Sequence, residues 1–270
     1  MLRKLIGYEW KACARACLPV YGALLVVALI NRVFSALDMG RFLGGMPEVL
    51  AAMAYFGVMV AVFVVTTVIL IQRFYKSLLG DEGYLMFTLP VTVTQHIWAK
   101  SIIALVMSFL SCVASVLSVV ILSANSRLPR DIAQFISEIF HMFARSEYGA
   151  ANSVFYMIEA ILLVVLFSLA GLLFIYLCIA LGHLAKKHRV AMAIVWYFVL
   201  TTVMQFLFSM IFFTTGGQNV FEAMFRWVNH IPEAVAIHVG LLVLCLGAAI
   251  PGAIFFLGTR YVLKNKLNLE

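Results

Sequence analysis

Glu159 and His238 are the side chains whose type and placement most invite a chemical reading. Glu159 stands well inside the uncharged stretch that begins at Ser153, and His238 near the outer start of another that begins at Ala234. An ionisable group within an oily run of membrane length is a functional flag by default. Glu159 is expected to line an outer vestibule, to contact a cationic substrate, or to pair with an arginine from an outer loop. His238 carries the same ambiguity between structure and substrate. One isolated carboxylate makes a poor proton relay, and inverted repeats are not visible, so a proton-driven secondary transporter is disfavoured. Thr66, Thr67, Thr201, Thr202 and Gln205 add modest polarity to runs that are otherwise apolar. If the chain forms a conduit, these five are expected to face it; the alternative is ordinary hydrogen bonding between helices. Pro251 has no N–H for the Gly247 carbonyl, which predicts a kink and makes Gly247 and Pro251 candidates for gating and packing. Ala248 and Gly252, four apart, are small enough to admit a close neighbouring helix.

Other chemistry is missing from the pattern. The sequence contains no HExxH, no zinc-spaced Cys and His set, no G-x-S-x-G elbow and no G-x-x-x-x-G-K-[ST] nucleotide loop. The five cysteines, at 13, 17, 112, 178 and 245, form no CxxC pair or disulfide framework. Cys13 and Cys17 share a helical face and read as small packing residues. No catalytic, cofactor-binding or metal-binding residue is therefore assigned. Thr214 to Gln218 echoes an ATPase signature but falls on the outer side of the topology derived below, away from ATP, and is read as chance.

The elements that must position these residues follow from composition. The chain has 270 residues, of which 64% are hydrophobic and only 11% charged, with a mean hydropathy of +1.06. A soluble domain devotes about 25% of its residues to charge. This chain has too little polar surface to face water all round, so most of its solvent is lipid. Runs long enough to cross a bilayer, about 20 apolar residues, occur at 18–37, 49–72, 101–122, 153–182, 190–213 and 234–258. They are continuous and much longer than the alternating segments of membrane barrels, and only a helix satisfies its backbone alone in lipid. The fold class predicted is an all-α polytopic membrane protein with six transmembrane helices in a single permease-like domain. Net charge is +7. With the N-terminus inside, the inner segments hold thirteen of the 19 Lys and Arg and the outer segments six. That bias puts both termini in the cytoplasm. The basic excess is thus matched to membrane lipids and not to nucleic acid.

The connections carry their own patterns. Residues 1–17 place Leu2, Leu5, Ile6 and Trp10 on one face among basic residues, predicting an amphipathic interfacial helix that ends where the chain turns inward at Pro19. The inner stretch 73–100 is too rich in aromatics and aliphatics for a tether. Gly80 and Gly83 bracket Asp81 and Glu82, Pro90 ends the element, and Thr92 or Thr94 is suited to cap the helix that follows. Such a loop is expected to dock on a partner, or else to pack on the chain's own inner helices. The outer connection 123–152 shows helical spacing from Ile132 to Phe143. The connection 214–233 is too apolar for a free loop and predicts short re-entrant helices. His183 to Arg189 is short and basic, suited to the anionic inner leaflet.

This arrangement resembles the membrane subunits of ABC-2-type (type V-like) ATP-binding-cassette exporters. The segment Asp81-Glu-Gly-Tyr-Leu-Met-Phe-Thr-Leu-Pro-Val91, followed by Gln95 to Lys100, is similar to the inner loop of small bacterial permeases of that family. The resemblance implies that residues 75–86 carry a cytoplasmic coupling helix, with Tyr75, Asp81, Glu82, Tyr84, Leu85 and Met86 in contact with the ATPase. It implies a cytoplasmic ATPase partner that binds ATP and Mg, a second permease subunit, identical or homologous, and residence in a bacterial cytoplasmic membrane. The chain itself would hold no cofactor and perform no phosphoryl chemistry. The cargo implied is hydrophobic or amphipathic: a peptide, an antibiotic or a lipid. The long outer connection with its own amphipathic helix departs from the family pattern. The rival readings are a non-transporting scaffold or immunity protein that binds a peptide or lipid and, less favoured, a membrane enzyme acting on lipid.

Overall fold

The computed structural model describes residues 2–36, 46–79, 91–122, 134, 137–138, 150–185, 187–214 and 231–265. Among them the regular structure is α-helical, in six long helices: α1 (Leu2–Ala36), α2 (Met46–Leu78), α3 (Val93–Leu122), α4 (Ala150–Gly182), α5 (Arg189–Thr214) and α6 (Glu233–Asn265). Each contains a stretch long and apolar enough to cross a membrane. The chain is a multi-pass membrane protein by this measure. Large apolar side chains such as Phe167, Phe208 and Phe213 stand about three-quarters exposed, as expected where the surrounding solvent is hydrocarbon. The helices overrun the sequence-based spans, mostly by a few residues at their ends. The third starts at Val93 and not near Ser101, because a cap is available there.

That cap is Thr92. Its Oγ1 accepts from the Gln95 backbone N–H at 3.4 Å, while Gln95 Oε1 accepts from the Thr92 N–H at 3.2 Å. The two residues form a reciprocal capping box, which satisfies donors that the first turn of α3 leaves free.

The first half of α1 differs from expectation. The separate surface helix over 1–17, with a turn at Pro19, is instead continuous with the first span, and Pro19 lies inside one 35-residue helix. Pro19 sits on an exposed face, so the missing N–H falls on the open side of the helix. The face that packs is also different. Leu5, Glu9, Cys13, Cys17, Tyr21, Leu24 and Ala28 are buried, at steps of three and four, whereas Trp10 remains 38% exposed. The N-terminal end of α1 is thereby held against protein.

The chain divides into two compact units, Met1–Glu138 and Ile139–Glu270. In the first, α1 packs on α2 and α3, and α2 on α3. Glu9 meets Arg73, Tyr21 meets Thr66 and Asn31 meets Ala51, so α1 and α2 are antiparallel. Glu9 also meets Lys100 and Tyr21 meets Met107, so α1 and α3 run parallel. Small residues on α3, among them Ala99, Ala104, Ser111 and Ser115, are buried in this unit, which permits close helix approach.

In the second unit α4 packs on both α5 and α6. Tyr156 donates to the Ala234 carbonyl, Gly252 lies on Ala170, and Gly258 lies on Leu177. The contacts advance together along both helices, so α4 and α6 are parallel. The return to α5 is tight. A Cβ at Gly182 would lie 2.5 Å from the Ala193 backbone, and His188 takes a left-handed φ of 54° where the chain reverses.

Candidate functional site

Three places collect polar groups at helix faces. The first joins all three helices of the first unit. Glu9 Oε1 lies 2.6 Å from Lys100 Nζ, and Glu9 Oε2 lies 3.1 Å from Arg73 Nε. The Glu9 and Lys100 side chains are 3% and 4% exposed, against 31% for Arg73. One carboxylate thus serves two cations. A buried charge without such a partner is strongly destabilising, so this arrangement locks the ends of α1, α2 and α3 together. Arg73 lies near the end of α2 and Lys100 in the third turn of α3, so they flank the connection between those helices. The sequence reading counted Arg73 and Lys100 only as inner-face charge and missed Glu9. A signal was present: Glu9 is the sole acidic residue in the first 37 positions, at helical spacing from Leu5, Cys13 and Cys17.

The connection between α2 and α3 is described only at its margins. Tyr75 lies in the last turn of α2, half-buried, and its carbonyl accepts from the Leu79 N–H at 2.9 Å. Asp81, Glu82, Tyr84, Leu85 and Met86 lie outside the described residues, as do the outer helix expected over 131–143, apart from three isolated positions, and most of the re-entrant segment over 214–233.

The second place is the pair Glu159 and His238. His238 Nδ1 is 2.9 Å from both carboxylate oxygens. The Tyr156 ring lies 4.3 Å from the imidazole, Phe155 presents its edge at 6.4 Å, and the Cys245 thiol reaches the Glu159 carbonyl at 3.9 Å. The expected structural partner of Glu159, an outer-loop arginine, is replaced among the described residues by histidine from α6. The carboxylate fixes the ring through Nδ1. The pair fastens α4 to α6 near their outer ends in the topology derived from charge.

The third is a groove of about 540 Å³ on the second unit. Ala170, Gly171 and Phe174 of α4 form its floor, and α5 supplies Tyr197, Thr201 and Gln205. Gly247, Pro251 and Phe255 come from α6. Phe174 packs against Tyr197 at 5.5 Å and against Phe255 at 5.1 Å, giving the groove an aromatic end. Around Gly171 and Gly247 the space where a Cβ would stand is open.

The seven candidate pathway residues divide between the two units, two in the first and five in the second. Thr201 and Gln205 share the groove with Gly247 and Pro251. Glu159 and His238 share a clasp. Thr66 is buried in the first unit, where its hydroxyl donates to the Tyr21 hydroxyl at 3.4 Å, which in turn donates to the Met107 carbonyl at 3.0 Å. Thr67 and Thr202 donate back to the carbonyls of Phe63 and Phe198.

His183, just beyond α4, is a buried titratable group at the basic turn. Burial pushes its pKa below the ordinary histidine value, and the Arg189 charge pushes it further in the same direction. Among the described residues no three His, Cys, Asp or Glu gather closely enough to hold a metal ion.

Comparison with protein-family models, with curated proteins and with solved structures finds no match.

Proposed function

We propose that this chain is the membrane-spanning subunit of an ATP-driven exporter of the ABC-2 type, seated in a bacterial cytoplasmic membrane with both termini inside. In this reading it offers a route to a hydrophobic or amphipathic compound and grips a separate ATPase through residues 75–86. ATP and Mg bind to that partner, and a second permease subunit completes the pathway.

The observation that carries the reading is the inner-loop sequence from Asp81 to Val91, set between two membrane-length helices. The geometry around it suits a mechanical handle. The loop leaves α2 at Leu78, a little over a turn beyond Arg73, and enters α3 at Val93, two turns ahead of Lys100, and both cations hold Glu9 of α1. A push on the loop would be felt by all three helices as a unit, because packed elements joined by buried ion pairs move together and not piecemeal.

The test is co-purification of the full chain with a co-expressed cassette ATPase in mild detergent, with ATP hydrolysis and cargo movement measured in proteoliposomes. Asp81→Lys combined with Glu82→Lys should weaken assembly or uncouple hydrolysis while the chain still inserts. Unchanged association and unchanged transport in that variant would remove the coupling assignment, and transport by the chain with no ATPase present would remove the whole reading.

A further inference from the structure

We infer that the groove formed by α4, α5 and α6 binds a small uncharged amphipathic molecule that carries a hydrogen-bond donor and acceptor close together, as a secondary amide does. This deepens the export reading and rests on it for the purpose of the binding, though not for the binding itself.

The argument begins with how this protein treats hydroxyls in its membrane-length helices. Thr67, Ser77, Ser115, Thr202 and Thr259 each donate to the carbonyl four residues back. That is the local way to satisfy a hydroxyl where water is absent. Thr201 is adjacent to Thr202 on the same helix and does not follow suit. Neither its hydroxyl nor the Gln205 amide has a hydrogen-bond partner among the described residues. The two lie one turn apart and both line the groove. Opposite them, Pro251 has no N–H to give to the Gly247 carbonyl, and Gly247 also lines the groove.

A residue with a hydroxyl, one with an amide and one whose carbonyl lacks its helical donor therefore line a single apolar concavity. Its size of about 540 Å³ falls in the range of about 300–1,000 Å³ usual for small-molecule sites, which combine mainly apolar walls with a few placed polar groups. A lipid tail would fill the space and leave every one of those polar groups unsatisfied, an arrangement that hydrocarbon penalises. A transmembrane helix has its own backbone already bonded and brings no free peptide group. An amide offers its carbonyl to Thr201 and the Gln205 NH2, and its N–H to Gln205 Oε1 or Gly247. The aromatic end of Phe174, Tyr197 and Phe255 suits the apolar body attached to it. No charged side chain lines the groove, which argues for an uncharged ligand. A short apolar peptide meets all of these conditions.

The test is photolabelling of the purified full chain in phosphatidylcholine nanodiscs. The probes are a diazirine-bearing N-alkyl amide and a diazirine-bearing alkane of equal length, with labelled sites mapped by mass spectrometry. The amide probe should label residues 197–205 and 247–255 in preference to the alkane. Thr201→Val with Gln205→Leu should lower amide labelling about tenfold, the scale of two ordinary hydrogen bonds. Gly171→Val, whose added atoms enter open space in the groove, should block it without altering the polar groups, and an unchanged unfolding temperature shows either variant folded. Equal labelling by both probes, amide labelling that survives both changes, or cross-links joining two copies through this face would overturn the inference. The assay needs no ATPase. Intact labelling with failed ATPase association would sink the export reading alone, and the converse would sink only the amide site.

Discussion

Lys100 Nζ stands 2.6 Å from Glu9 Oε1, although the two residues are 91 positions apart in the chain. Both side chains are almost fully buried, and Arg73 closes on the other carboxylate oxygen. A single carboxylate thus neutralises a lysine that is almost fully buried. Replacing Glu9 by Gln should destabilise the protein by about 3–5 kcal/mol, the usual consequence of leaving a buried charge without its partner. Glu9→Leu combined with Lys100→Met should recover much of that loss. Thermal or denaturant unfolding in detergent reads both. A double variant as unstable as Glu9→Gln would mean that the pair is not what holds the three helices.

Glu159 and His238 pose a smaller version of the same question. Their bond joins two parallel helices at membrane length, where measured side-chain couplings are modest. Glu159→Leu and His238→Leu should each lower stability, and the double variant should fall short of the sum by about 1 kcal/mol. Strict additivity would show that the two side chains are neighbours without being coupled.

Gly182 is a steric requirement. A methyl group there would collide with the backbone of Ala193 and not with a side chain that can swing away. Gly182→Ala should therefore cost about 1–3 kcal/mol through displacement of the α4–α5 turn, as overpacking generally does. Gly247→Ala, where no atom lies within 4 Å, should cost much less. Comparing the two variants by unfolding midpoint separates a space effect from a general cost of removing glycine.

The pH dependence follows from His183, whose pKa is lowered in the folded chain by burial and by Arg189. Above the ordinary value of 6.5 the ring is neutral in folded and unfolded chains alike and contributes no slope. Below it the unfolded chain takes up a proton that the folded chain resists. Stability therefore declines as pH falls through 6.5 and on through the lower folded pKa. His183→Gln should flatten this part of the profile relative to the parent chain. An identical slope in both proteins would place the titration elsewhere.

Six spans, their helical nature and a cap for α3 at Thr92 or Thr94 were legible from the sequence alone, and the structure takes Thr92. These features depend on local rules: a bilayer needs about 20 apolar residues, a helix bonds its own backbone in lipid, and a Thr-x-x-Gln pattern caps itself. Which face of each helix meets protein was not legible. In a soluble bundle the buried face is apolar and the other polar, so periodicity reveals it. Here both sides are apolar, and that contrast disappears. The N-terminal segment shows the consequence. Its leucines and tryptophan suggested a leaflet surface, while tertiary packing selected the face of Leu5, Glu9, Cys13 and Cys17 because Lys100 and Arg73 required the carboxylate. Thr66 and Thr201 are equally polar in the sequence, yet one closes an internal hydrogen-bond chain and the other opens on a groove. Only the assembled helices distinguish them, because each residue's partners come from segments far away in the chain.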